Sequence, residues 1–587
     1  MKRMICSMAL LGIFQLNGQT IDVTRFGVHP NSFADAMQGV KRAIAACRHK
    51  PGAVLVFPAG RYDFWPAKAA QREYYISNTS SEEECPSKTK TIGLLFEQIK
   101  RLTVEGNGSL FVFHGKMITW ALDHCEDIRL QNISIDFERP TMSEMTLKIV
   151  EKDSLIAAIH PDSKFTIINN KLMWYGEGWT LHHYHAILVN PVTGVEKYST
   201  WEPFLNSKAE VIGPNMVVFR GDFSKFEGAP GAVLTIRDPI RDEVGAFINH
   251  SRNISLKNIN MHYMHGLGIV AQFSKNLFYD SVNIAPAEKS GRVIASFADG
   301  MHFSGCRGYI RIENCLLKGF HDDPINVHGT HLQITRILSP TSLLIRFMHP
   351  QTYGIRAFFK RDSIAFVHSQ TLQIYHYARI ARAKLISERE MLVDLTSPIP
   401  AGVSIGDCLE NITWTPSVII RHCRFEGTPT RGLLVTTRRP VLIEDNVFFR
   451  TGMQAILIAD DASSWYESGE VENVIIRNNT FQECGYNAVP NNYIIAIMPE
   501  NHQLIPGYMV HKNILIENNT FRIYDYPLLT ARSTGGLIFK NNKVLRSTFM
   551  KTQENREAQI SLTACSDVKI SGNQGDILVA SSGTGTK

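Results

Sequence analysis

Three aspartates carry the chemistry that this sequence offers. Asp299 stands in Ala-Asp-Gly, and the doublet Asp322-Asp323 follows in His-Asp-Asp-Pro, 23 and 24 residues later. Between them YIRIENCLL alternates apolar and polar residues, as a half-buried β-strand does. The interval of 23 recurs between strand-like units elsewhere in the chain. Taken as one coil of a stacked solenoid, it sets Asp299 beside the doublet, roughly 4.8 Å away along the stack. Three carboxylates on one patch suit acid/base cleavage of a glycosidic bond.

Asp-Gly and Asp-Pro are also ordinary turn signals, and any one of these residues alone reads as a turn. The spacing, with His302, His321, Asn326 and His328 around it, favours catalysis. Adjacent strand residues face opposite ways, so Asp322 and Asp323 reach one substrate only at a bend, which Pro324 makes plausible. The three histidines match no zinc motif, and hydrogen bonding to sugar is the better reading, with satisfied structural histidines as the plain alternative. No metal or organic cofactor is expected. Later, ILIADDASSWYESG offers Trp465 to stack on a sugar face and Asp460 to bind hydroxyls; a solvated loop around a buried Trp fits equally well. Arg438 and Arg439 in TTRRP read as covering a turn.

The elements that must position these groups are repeats. Leu102 and Ile128 open units 26 apart, and Ile254, Leu277 and Ile310 open units 23 and 33 apart. Val418, Val441 and Val474 repeat 23 and 33; Ile514 and Leu537 differ by 23, and Val568 follows. A nearly fixed interval with occasional insertions is what stacked coils with variable loops produce. Asn446, Asn479, Asn519, Asn542 and Asn573 occupy one place in five units. They read as turn residues that tolerate left-handed backbone and stack coil on coil. An amphipathic helix near 35–47, with Ala36, Val40, Ile44 and Cys47 on one face, would cap the apolar end of the first coil. The strand AVLVFPAGRY follows it.

Two segments, 141–240 and 331–412, break the rhythm with many short β runs, which predicts small antiparallel barrels inserted into solenoid turns. The second begins just after the doublet and is expected to wall the active-site groove. The expected organisation is a signal peptide over 1–18, cap and first coils over 19–140, and an inserted β subdomain over 141–240. Coils bearing the aspartates then run over 241–330, a second inserted subdomain over 331–412, and C-terminal coils over 413–587.

Composition sets the remaining bounds. The chain has 587 residues, 44% of them apolar and 10% aromatic, and a formal net charge of only +6. That describes a globular protein without a nucleic-acid patch. Lys2, Arg3 and the apolar run to Phe14 form a signal peptide, so export to the periplasm or beyond is expected. No later stretch is long and apolar enough to span a membrane. Ten scattered cysteines without close pairs support neither a disulfide framework nor a zinc site, and most are expected to be buried.

With these residues in view, the chain resembles glycoside hydrolase family 110, exo-acting bacterial α-1,3-galactosidases, along nearly its whole mature length. The resemblance rests on VFPAGRYDF, ADGMHFSGC, GFHDDPINVHGT and the two β insertions. It implies an inverting mechanism on terminal α-galactose, as in blood group B structures. It also implies Asp322 as general acid, with Asp299 and Asp323 holding and deprotonating the water. A more distant similarity is to the polygalacturonases of family 28. They continue with Gly-His-Gly and Arg-Ile-Lys, which this chain lacks, so pectin is a poor substrate guess. The rival from another class is a non-catalytic glycan-binding β-helix of the adhesin kind. The expected fold is all-β: a right-handed parallel β-helix with a capping helix and two inserted antiparallel barrel-like subdomains, acting on an α-galactosyl glycan.

Overall fold

The computed structural model describes residues 18–181, 184–487, 493–552, 558–575 and 577–582. The expected signal peptide falls almost wholly outside them. Among the described residues no helix is long and apolar enough to cross a membrane.

The repeats pair as the spacing requires. Leu102 lies opposite Ile128, Ile128 opposite Ile254, Ile254 opposite Leu277, and Leu277 opposite Ile310, all in parallel register. The ladder continues from Ile310 to Val418, Val441, Val474, Ile514 and Leu537. A second track runs through Leu317, Phe425, Phe448 and Phe481. A third runs through Trp120, Ala246, Ile269, Met301, Ile325 and Leu433. Each coil therefore contributes to three parallel faces, and alternate side chains point inward to one continuous apolar core. This is a parallel β-helix.

Stacking puts like on like inside the helix. Phe425, Phe448, Phe481 and Phe521 stack with centroids 4.5, 5.0 and 4.8 Å apart. Asn446 directs its backbone N–H and its Nδ2 to Oδ1 of Asn479, both at 3.0 Å, and Asn479 treats Asn519 likewise. The ladder runs on through Asn542 to Asn573. These asparagines are not the left-handed residues, contrary to expectation. That backbone falls one residue earlier, on Asp445, Asn478, Asn518 and Asn541, with φ between 55° and 58°. The turn is made there, which frees the following side chain to point inward and bond along the stack.

The helix Met37–Cys47 caps the first coil and buries Met37, Val40, Ala43, Ile44 and Cys47. The run expected as one strand after it is two, Ala53–Val56 and Arg61–Phe64, because Pro58 and Gly60 turn the chain between them.

The first insertion is a seven-stranded antiparallel sheet from Ser143–Val150 to Val233–Arg237, with a three-stranded sheet beside it. It wraps a core containing Trp174, Trp201, Phe204 and Phe219. Its edge strands Val195–Ser199 and Lys208–Gly213 do not pair with each other, so it is curled, not closed. In the second insertion six strands close a ring. The 15-residue strand Ile325–Ser339 begins in the helix and ends in this barrel, so the two share backbone with no linker. Of the nine cysteines described, none is in a disulfide and seven are buried.

Candidate active site

The third face sets out the catalytic candidates. Met301 lies opposite Ile325, and Ile325 opposite Leu433. Two residues before each stand Asp299, Asp323 and Arg431, one above another on successive coils. The interval from Asp299 to Asp323 is one coil. That from Asp323 to Arg431 is one coil plus the second barrel. Backbone bonds lock the first pair: Gly300 N–H donates to Asp323 O at 3.0 Å, and Met301 N–H to Pro324 O at 2.8 Å. Gly300 is needed for this approach, since a Cβ there would meet Pro324 O at 2.6 Å and the Phe320 ring at 2.5 Å. The Ser296 hydroxyl donates to Asp299 O at 2.6 Å and braces the turn.

Asp299, Asp322 and Asp323 open together onto one cavity of about 130 Å³. This is small against the roughly 300–1,000 Å³ of sites for drug-sized ligands, and suits a single sugar ring. Asn326, Arg241, Asp461, Trp465 and Glu467 complete its walls. Asp299 and Asp323 are buried, at 4% and 2% exposure, whereas the Asp322 side chain is 27% exposed. The bend at Pro324 does bring both doublet residues to the same space.

Burial, and then the charge of Asp323, push the Asp299 carboxyl up to about 8. Burial and then Asp299 raise Asp322. Burial raises Asp323 too, against the pull of Arg431, whose Nε sits 3.1 Å from both carboxylate oxygens and whose Nη2 sits 2.7 Å from Oδ2. The Arg431 backbone N–H adds a bond of 3.0 Å to Oδ1. Arg241 Nη1 lies 3.6 Å from Asp322 Oδ2. Two cations thus face three crowded carboxylates. Crowding of this kind keeps at least one carboxyl protonated near neutral pH, as general acid catalysis requires.

The other candidates divide. Asn326 and Trp465 line the cavity. Trp465 is 40% exposed and stacks against His349 of the second barrel at 4.1 Å, with Arg241 over its ring. Asp460 does not reach the cavity: it is buried and accepts the Gly469 N–H. Its neighbour Asp461 does, while accepting the N–H groups of Ser463, Ser464, Trp465 and Tyr466 that shape the loop. His302 and His328 lie buried behind the aspartates, not on the cavity wall, with His302 Nδ1 2.9 Å from Asp299 Oδ2. His321 points away to the first insertion, where Thr235 Oγ1 is 2.7 Å from its Nε2 and Arg237 donates to Nδ1. Arg438 stands at a bend and pairs with Glu410 and Glu470. The second barrel supplies no lining residue, contrary to expectation, and instead supports the wall from behind through His349 and through Thr352, which bonds Asn78.

Arg241, Arg431 and Glu467 were missed by sequence reasoning. Arg431 was within reach: aligning Leu433 with Ile325 places it in the column of Asp299 and Asp323. Arg241 lies in an irregular segment, and Glu467 on a two-residue strand that pairs antiparallel with Gly329 and Thr330, outside the parallel repeat.

Among the described residues one group, His302, His328 and Glu467, brings potential metal-ligand atoms within 4.8 Å of one another. The two Nε2 atoms are 2.9 Å apart, a hydrogen-bond distance. Tetrahedral zinc with bonds of about 2.0–2.1 Å would hold them nearer ~3.3 Å apart.

The family models for GLAA-B beta-barrel domain I and GLAA-B beta-barrel domain II match residues 143–234 and 342–409. Alpha-1,3-galactosidase A of Bacteroides fragilis is 45% identical over 555 residues, covering 94% of this chain and 92% of that protein. Alpha-1,3-galactosidase B of Bacteroides thetaiotaomicron is 38% identical over 573 residues, covering 95% and 91%. A family 28 exopolygalacturonase of Yersinia enterocolitica superposes with a TM-score of 0.42 at 10% identity, over 94% of this chain and 79% of its own, a likeness too distant to bear on chemistry. Identity of this extent, running through both insertions and the coils between them, means that the chain belongs to the alpha-1,3-galactosidase family of glycoside hydrolases.

Proposed function

We propose that this protein is an exported exo-glycosidase that removes terminal α-1,3-linked galactose from glycans of the blood group B type, inverting the anomeric centre. The observation that carries the reading is the meeting of three carboxylates from two successive coils in a cavity the size of one sugar ring. A pocket of that size takes a chain end, which is exo action. Trp465 offers the terminal ring an aromatic face.

In this reading Asp322, the most exposed of the three, protonates the glycosidic oxygen as the C1–O bond breaks. A water held by Asp299 and Asp323 on the opposite face forms the new bond to C1 and gives its proton to that pair. Inverting enzymes set acid and base roughly 6.5–9.5 Å apart to leave room for such a water. Arg431 keeps Asp323 charged for this task. The test is incubation with linear and fucosylated α-1,3-galactosyl trisaccharides, followed by NMR. Free galactose appearing first as the β anomer supports the proposal. No galactose from either substrate, or galactose appearing first as the α anomer, refutes it.

A further inference from the structure

Behind the carboxylates runs a chain of buried hydrogen bonds whose direction one atom fixes. His328 Nδ1 lies 2.6 Å from Gly329 O, and a carbonyl can only accept. Nδ1 of His328 therefore carries a hydrogen. In the neutral ring Nε2 of His328 is then bare and must accept from its partner at 2.9 Å, Nε2 of His302. That spends the one hydrogen of a neutral His302 on Nε2, leaving Nδ1 bare at 2.9 Å from Asp299 Oδ2. A bare nitrogen facing a carboxyl oxygen at this distance needs a hydrogen from it.

We infer that His302 and His328 are positioning residues that fix the proton of Asp299 on Oδ2, leaving Asp323 as the carboxylate that takes the proton from water. Asp299 then offers its other oxygen to the water as a neutral group. This deepens the hydrolytic reading above and rests on it for the role of Asp323.

Two alternatives keep the same contacts: the proton moves across to His302, making an imidazolium beside an Asp299 carboxylate, or His328, with Glu467 Oε1 3.6 Å from its Nε2, is the imidazolium and donates to His302, whose Nδ1 hydrogen then meets an Asp299 carboxylate. His302 and Asp299 are 1% and 4% exposed, and a buried ion pair pays for desolvating both partners. The groups facing Asp299 are Asp323, Arg241, Glu467 and Arg431; those facing His302 are His328, Glu467, Arg241 and Asp323. Of these charges Asp323 acts most strongly on Asp299, and it opposes a second carboxylate. Burial, followed by His328, drives His302 down to about 3, in keeping with a neutral ring.

Two measurements on the full chain test this without turnover, so their failure is separable from failure of the galactosidase reading. Nitrogen-15 NMR of histidine-labelled protein at pH 7, assigned with His302→Gln and His328→Gln, should show His328 protonated at Nδ1 and His302 at Nε2 only. A doubly protonated His302, or hydrogen on its Nδ1, would overturn the inference. Infrared difference spectra against Asp299→Asn should show a protonated-carboxyl band that titrates away near pH 8. His328→Leu removes the acceptor, lets His302 turn its hydrogen toward Asp299, and should lower that titration by about one pH unit or more. His328→Gln keeps an acceptor oxygen and should restore the wild-type titration. A titration unmoved in folded His328→Leu also overturns it.

Discussion

Arg431 holds Asp323 by both guanidinium faces of its fork and by its own backbone N–H, although 108 residues separate the two in the chain. The Asp323 side chain is 3% exposed and that of Arg431 29%. Removing the cation strands a carboxylate in the protein interior. Arg431→Ala should therefore lose about 3 kcal/mol of stability at pH 8, the low end for a broken buried pair because Arg431 is partly solvated. At pH 5 the loss should be smaller, since Asp323 can take up a proton there. Urea unfolding at the two pH values measures this, and equal losses would mean that the pair is not electrostatically coupled.

Asp322→Asn should abolish turnover of natural oligosaccharides while leaving the fold and sugar binding largely intact. Removing a general acid costs about 10²–10⁴ in rate, and a poor alkoxide leaving group pushes the loss toward the upper end. On an aryl galactoside with a good leaving group the same variant should lose far less than Asp323→Asn does. Equal losses on both substrates would remove Asp322 from the acid role.

The raised Asp299 carboxyl has a thermodynamic signature. Its folded value of about 8 lies above the unfolded value near 3.9, so the unfolded chain releases this proton first. The stability it contributes is fully present below about pH 4 and is lost as the pH rises toward 8. Asp299→Asn should thus raise Tm more at pH 8 than at pH 5. A wild type and variant whose Tm difference does not change with pH would contradict the raised value.

In the C-terminal coils the asparagine ladder should matter as a unit. Asn479→Ala removes the Oδ1 that receives both Asn446 donors, stranding the buried backbone N–H and leaving Nδ2 with Ile420 O alone. A cost of about 1–3 kcal/mol is expected for the stranded donor. Denaturant titration reads it. Asn513→Ala, whose Nδ2 reaches Asn473 on the exposed side, should cost about 1 kcal/mol, chiefly because Asn513 is left-handed with φ of 55°.

How legible all this was in the sequence depends on what each residue answers to. The coils were readable because stacking imposes one interval and one alternation, so Val418, Val441 and Val474 could be aligned before any coordinates. The aspartates were readable for the same reason. Nearness in sequence brings Asn326 to the cavity but not His302, His321, His328 or Asp460, which are taken up by buried partners. Arg241 and Glu467 lie outside the parallel repeat, so no period encodes them.

The two arginines that face the carboxylates each come after an inserted barrel, Arg241 after the first and Arg431 after the second. A chain leaving the ribosome therefore displays its three acids well before the last of their counter-charges exists. Until the second barrel has closed and the next coil has docked, Asp323 has no cation to hold it and Trp465 has not yet been made. Assembly order thus withholds a working site from every shortened product of translation. A nascent or truncated chain ending before residue 431 would be an incomplete β-helix with an open end and exposed strand edges.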